Sequence, residues 1–195
     1  MKNKSQEYAT EQAERILASA KKCFLRQGLR ATTMRDIAAE ADMSLGNIYR
    51  YFKNREVLVQ AFIRRDNDEY QQALELLKGA KQIKKVLAGI AKEVIKQLSN
   101  RAELLIYTDI LSEALLNNQV MELIALHETE EVLAGYLKDA EGEKRIRLSV
   151  PPDVAALSII SFMEYAATKC VFHKGYSVRK ANKQFSQYLD LLIDE

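Results

Sequence analysis

Only seven glycines and two prolines interrupt this chain of 195 residues. An all-β sandwich or barrel needs turn residues at roughly 8–12-residue intervals, so their scarcity points to helices. The apolar residues agree. In the first predicted helix, from about residue 8 to Gln27, Ala13, Ile16, Leu17, Ala20 and Phe24 recur at three- and four-residue steps and make one stripe. Gly28 suits the left-handed position that ends a helix. A second helix is expected from Thr33, where Thr33 and Asp36 have capping-box spacing. A short third one has Ser44 as N-cap, and a fourth runs from about Asn54 to Lys78, stopped by Gly79. The same reading places helices at about 81–98, 102–116, 120–140, 153–173 and 178–193, the eighth starting after Pro151-Pro152. The chain is therefore read as all-α, with about nine helices.

Charge is unevenly distributed. Residues 1–55 carry eleven Lys and Arg against six Asp and Glu, while the remaining residues carry eighteen against twenty-one. A basic N-terminal part on a slightly acidic body is the footprint of a DNA-binding head on a body that does not bind DNA. Two cysteines, Cys23 and Cys170, make no disulfide framework and fit a reducing compartment. The polar start has no signal-peptide character, so a cytoplasmic protein is expected. Residues 154–172 are the most apolar stretch, but Glu164 and Lys169 interrupt it, as in a buried helix rather than a membrane span.

The informative segment is residues 16–58. It holds Ile16 to Phe24, Gly28, the pair Thr32-Thr33, Ile37-Ala38, the run Ser44-Leu45-Gly46-Asn47-Ile48-Tyr49-Arg50-Tyr51-Phe52, then Lys53, Arg55 and Leu58. Two short helices joined by a turn of about four residues form a helix-turn-helix. These positions, at this spacing over some forty residues, closely resemble the TetR family of bacterial regulators. Two departures stand out. Asp42 occupies the turn where the family usually has Gly, and Asp tolerates left-handed geometry better than most residues. Arg55 stands where a Lys is usual, which keeps the charge.

The resemblance implies an N-terminal three-helix DNA-binding head (residues 1–55) and a helical ligand-binding and dimerisation body (residues 56–195). It puts residues 44–50 in the major groove, with Ser44 at the helix start and Gly46 letting the backbone come close. Thr33, Tyr49, Tyr51, Lys53 and Arg55 fit phosphate-positioning roles. Base readout falls to Arg35, Leu45, Asn47 and Arg50, and the residues leave open which of these four touch bases. Phe52 is expected in the core, holding the third helix to its neighbours.

The implied partners are operator DNA, a second copy of the chain and a small-molecule effector. The apolar eighth helix and the stripe Val178, Ala181, Phe185, Tyr188, Leu192 on the ninth are expected to pair with their copies across a two-fold axis. Polar residues set in apolar helices are candidate effector contacts: Tyr107, Thr108, His127, Glu164 and Tyr165. If Glu164 faces the pocket, a cationic ligand fits. Each could equally be satisfied within the protein or face solvent.

Other chemistries find little support. Cys170 and His173 are three residues apart on one helix, but a metal site wants four ligands and no second pair has matching spacing. Cys23, beside Lys22, is expected to be a core or partly exposed thiol rather than a redox sensor. With no Ser-His-acid set, Gly-rich phosphate loop or convincing carboxylate pair, no enzyme, cofactor or metal is expected.

Overall fold

In a computed structural model of the protein, the backbone is described for residues 4–124 and 126–195, and side chains for residues 6–124 and 129–195. Ten helices occur among the described residues: α1 (Lys4–Gln27), α2 (Met34–Glu40), α3 (Leu45–Tyr51), α4 (Arg55–Glu75), α5 (Ile83–Leu98), α6 (Arg101–Ala114), α7 (Asn118–Leu123), α8 (Leu126–Gly142), α9 (Pro152–Phe172) and α10 (Val178–Leu192). Two-residue strands β1 (Arg147–Leu148) and β2 (Ile193–Asp194) pair antiparallel. No β-alternation announces this ribbon in the sequence. Glu141, accepting from the Leu148 amide, and Ser149, whose amide donates to Leu192, hold it in place.

The chain divides into two compact units. The first combines Met1–Asp66 with Leu105–Ile124; the second combines Asn67–Leu104 with Ala125–Glu195. The first unit's core contains the expected α1 residues Ile16, Leu17, Ala20 and Phe24, joined by Leu29, Ile37, Ile48, Phe52, Leu58 and Phe62. Phe24 and Phe62 meet edge to face with centroids 5.2 Å apart. Ile106, Ala114 and Val120 complete this core from far along the chain. In the second unit α9 packs against α5, α8 and α10, burying Ala155, Ala156, Ile159, Met163, Ala166 and Ala167. That is why this helix is apolar on several sides.

The structure departs from the sequence reading in three places. The expected helix 120–140 is two helices, with the backbone leaving helical geometry at Ile124 (φ −77°, ψ 71°). Val120 belongs to the first unit's core, whereas Leu133, Leu137 and Ala140 belong to the second's, so one uninterrupted apolar face would have to serve two cores. Next, α4 ends at Glu75 rather than Lys78. The amides of Leu76, Leu77 and Lys78 bond three residues back, a tightened last turn, before left-handed Gly79. Last, the α10 stripe faces its own core. Ala181, Phe185 and Leu192 are buried there, with Val178 and Tyr188 packed against them.

The apolar residues that α9 and α10 leave exposed are others: Val154, Leu157, Tyr165 and Phe172 on α9, and Leu191 on α10. The α9 set follows helical spacing and lies along one face. A cavity of about 300 Å³ between the two helices is lined by Phe162, Tyr165, Lys169, Tyr176, Tyr188 and Leu191 among others. The Lys169 ammonium lies 4.7 Å from the Tyr176 ring centroid and 5.7 Å from that of Tyr165.

Candidate nucleic-acid interface

The helix-turn-helix is built by local capping. The Thr33 hydroxyl accepts from the Asp36 amide (3.3 Å), and the Asp36 carboxylate accepts from the Thr33 amide (2.8 Å) and hydroxyl (2.7 Å). This is the expected capping box, and it starts α2. The bonds from Thr33, helped by Gln27, hold the Asp36 carboxyl below the usual carboxylate range. At the other end of α2, Met43 donates to Ala38 (2.9 Å) and Asp42 to Ala39 (3.2 Å), a Schellman closure. Asp42 sits there at φ 53°, the left-handed geometry for which the family's Gly is suited. Arg15 of α1 donates to the carbonyl of Ala41 (2.6 Å), bringing a cation to the helix end where carbonyls accumulate. Ser44 then caps α3 by accepting from the Asn47 amide.

Helix α3 turns Ile48 wholly into the core, with Phe52 buried just beyond it, as expected for the latter. The opposite side presents Ser44, Gly46, Tyr49 and Arg50, all exposed, with Lys53 following; Leu45, Asn47 and Tyr51 are half-buried. A Cβ placed on Gly46 would meet nothing within 4 Å, so that face is open for another molecule to approach. Thr33 and Arg35 are exposed on α2. Two acidic groups of α2 are turned to internal use. Glu40 pairs with Arg26 (3.0 Å) and Lys22 (3.5 Å), which lowers its carboxyl's pKa, and Asp36 is engaged by Thr33. Arg35, Arg50 and Lys53 are thus left as the cations beside α3.

Two expected phosphate contacts have other engagements. Both donors of Thr33, amide and hydroxyl, are taken by Asp36. The Arg55 guanidinium is half-buried and donates to the carbonyls of Leu29 (2.6 Å) and Thr32 (3.2 Å). Among the effector candidates, Tyr107 and Thr108 fall in the first unit, where Thr108 is exposed and donates to Leu105 of its own helix (3.0 Å). Glu164 and Tyr165 fall in the second. Glu164 is half-buried, and its charge acts on the phenol of Tyr70, whose pKa is pushed up to about 12, chiefly by burial. Tyr165 is 67% exposed and lines the cavity between α9 and α10. The side chain of His127 lies outside the described residues. Cys23 is fully buried, and burial raises its pKa, which disfavours the reactive thiolate.

The sequence reading passed over Asp109, whose carboxylate accepts from the Leu29 amide (3.1 Å). A carboxylate within the apolar run around Leu104–Leu111 was the available signal.

A family model for bacterial regulatory proteins of the TetR family matches residues 16–62. YvkB of Bacillus subtilis, described as an uncharacterised HTH-type transcriptional regulator, is 30% identical over 139 residues, covering 68% of this chain and 69% of that one. The chain belongs to the TetR family. It is accordingly a helix-turn-helix DNA-binding transcription regulator. The HTH-type transcriptional repressor KstR2 of Mycolicibacterium smegmatis is 33% identical over 101 residues, about half of either chain. Among solved structures, a transcriptional regulator from Saccharomonospora viridis in complex with choline superposes with a TM-score of 0.74 at 18% identity, covering 95% of this TetR-family chain and all of that one.

Because Asp36's folded-state pKa is depressed, its contribution to stability is present above the ordinary carboxylate range and is lost as pH falls through the lowered value. Asp36→Asn should lower the urea midpoint at neutral pH and flatten the loss of stability on acidification. Equilibrium unfolding of both proteins between pH 7 and pH 2 checks this, and parallel curves would remove Asp36 from the acid response.

Proposed function

We propose that this TetR-family regulator is a cytoplasmic homodimeric repressor that a small cationic effector releases from a palindromic operator. The observation that carries the reading is the open α3 face, with Tyr49, Arg50 and Lys53 exposed and Asp36 and Glu40 engaged elsewhere. In this reading residues 1–55 read DNA and residues 56–195 bind the effector and the second copy. Arg50, Asn47, Leu45 and Arg35 meet bases, while Tyr49, Tyr51 and Lys53 meet phosphates around Ser44 and Gly46. A two-fold dimer sets two heads about 34 Å apart, in successive major grooves. An effector with higher affinity for a differently spaced dimer shifts the population away from the DNA-competent one. The family's usual repression, shared by the transcriptional repressor KstR2 of M. smegmatis, supports the direction of control.

The second copy is assigned to the exposed α9 face of Val154, Leu157, Tyr165 and Phe172 with Leu191, because the α10 stripe is buried within its own chain. The effector is assigned to the surroundings of Glu164 and Tyr70, where a half-buried carboxylate beside an aromatic ring suits an organic cation. The choline held by the S. viridis protein supports that class.

Fluorescence anisotropy against DNA from upstream of the gene, or against a selected random pool, tests the DNA reading. Wild type should bind selectively, with log K falling by about 0.9 per neutralised phosphate per log unit of salt. A Tyr49→Ala/Arg50→Ala double variant should lose at least about 5-fold to 150-fold, the roughly 1–3 kcal/mol of the Arg50 base contact alone. Equal binding by the variant would refute α3 as the reading helix.

Leu157→Arg should sediment as a monomer and bind the full operator at least about tenfold more weakly, since half of a two-fold site goes unread. A dimeric Leu157→Arg would displace the interface to another face.

Small organic cations, choline among them, should raise Tm in the wild type. The stabilisation is about 2.7 kcal/mol at a concentration one hundred times Kd. Glu164→Gln should abolish this shift, and a preserved one would move the cation elsewhere.

A further inference from the structure

The turn between α1 and α2 is held far more firmly than its exposure requires. Gly28 enters it in the left-handed region, φ 84°. Leu29, fully buried, follows and is gripped on both sides of its backbone. Its amide donates to Oδ2 of Asp109 on α6, eighty residues along the chain, at 3.1 Å. Its carbonyl accepts from Nη2 of Arg55, the first residue of α4, at 2.6 Å. The same guanidinium reaches the Thr32 carbonyl through Nε at 3.2 Å, and the Thr32 hydroxyl donates to the Gly28 carbonyl at 2.8 Å. Arg30 adds a bond to the Ser112 hydroxyl, one turn along α6 from Asp109. All these residues belong to the first compact unit.

This turn delivers Thr33, the cap of α2, and α2 is seven residues long. A helix so short is not stable alone, so its direction is set by its packing on α1 together with the turn that delivers it. Helix α3 follows through the four-residue link Ala41–Ser44. A tilt at Leu29 is therefore carried to Tyr49 and Arg50. The chemistry suits a clamp. Both bonds to Leu29 have a charged partner, which makes them stronger than neutral ones. The Arg fork spans two carbonyls, which a lysine ammonium does not match.

We propose that Asp109 and Arg55 are positioning residues for operator recognition: they clamp the Gly28–Thr32 turn from α6 and α4, and so aim α3 without touching DNA. For Arg55 this replaces a phosphate contact. The inference rests on the operator-binding reading of α3.

The test compares full-length wild type with Asp109→Ala, Asp109→Asn, Arg55→Ala, Arg55→Lys and, as a phosphate-contact reference, Lys53→Ala. Each is titrated with operator and with unrelated duplex DNA at several salt concentrations. Loss of aim lowers operator affinity tenfold or more in the two Ala variants and in Arg55→Lys, leaves binding to unrelated DNA unchanged, and leaves the salt slope at its wild-type value. Asp109→Asn, which keeps an acceptor oxygen, recovers most of the affinity. Lys53→Ala weakens both DNAs together and reduces the slope by about one. Hydrogen exchange at the Leu29 amide gives a reading independent of DNA: protection falls tenfold or more in Asp109→Ala and returns in Asp109→Asn.

If Arg55→Ala behaves like Lys53→Ala, Arg55 is a phosphate contact and its half of the proposal fails. Unchanged operator affinity or unchanged Leu29 protection in Asp109→Ala overturns the other half, and a parallel loss on both DNAs reduces it to general destabilisation. A wild type that selects no operator while Leu29 still depends on Asp109 overturns the operator reading, and the aiming role with it.

Discussion

Two helices of seven residues, α2 and α3, form the helix-turn-helix, and neither has enough hydrogen bonds to stand alone. What orients them is burial on one side and capping at their ends. Met34, Ile37, Ala38 and Ile48 press inward on the α1 stripe, while Thr33–Asp36, the Asp42 turn and Ser44 close off backbone groups that would otherwise be orphaned. The exposed side of α3 beyond the Ser44 cap can then be polar, because Tyr49 and Arg50 take no part in the packing that holds the helix in place. The same division explains the charges: the acids Asp36 and Glu40 have partners inside the head, and the cations near α3 face outward.

What was legible in the sequence was mainly local. The α1 stripe, the capping box at Thr33, the Ser44 cap, the left-handed Asp42 and the buried Phe52 are each set by residues within a few positions of one another, and all are found. Features decided by distant partners were not legible. Periodicity gave α10 an apolar stripe but did not say whether its own chain or another would cover it. Periodicity also ran straight through Ile124, because an apolar residue looks the same whichever core receives it. Arg55 read as a basic residue at a familiar position, yet its guanidinium turns to backbone carbonyls of a turn more than twenty residues earlier. Asp109 offered a hint, a carboxylate in apolar company, but nothing named its partner.

The second unit shows how an apolar helix can resemble a membrane span by length and composition and still belong in a protein core. Helix α9 meets three other helices, Glu164 acts on the Tyr70 phenol, and Lys169 lies over the Tyr165 and Tyr176 rings. Its uncovered face carries Val154, Leu157, Tyr165 and Phe172.

The first compact unit is assembled from two stretches of chain, and the bond from Leu29 to Asp109 closes a loop of eighty residues. A helical protein is usually rich in local contacts and folds quickly for that reason. Here the helix-turn-helix segment is synthesised with Leu29 and part of its core uncovered. It gains Ile106, Asp109, Ala114 and Val120 only after about sixty more residues are made, several seconds at 5–20 residues per second. Until then the core behind α1, α2 and α3 is unfinished, so a chain cut short before Leu105 lacks both the α6 packing and the Asp109 bond that complete this unit.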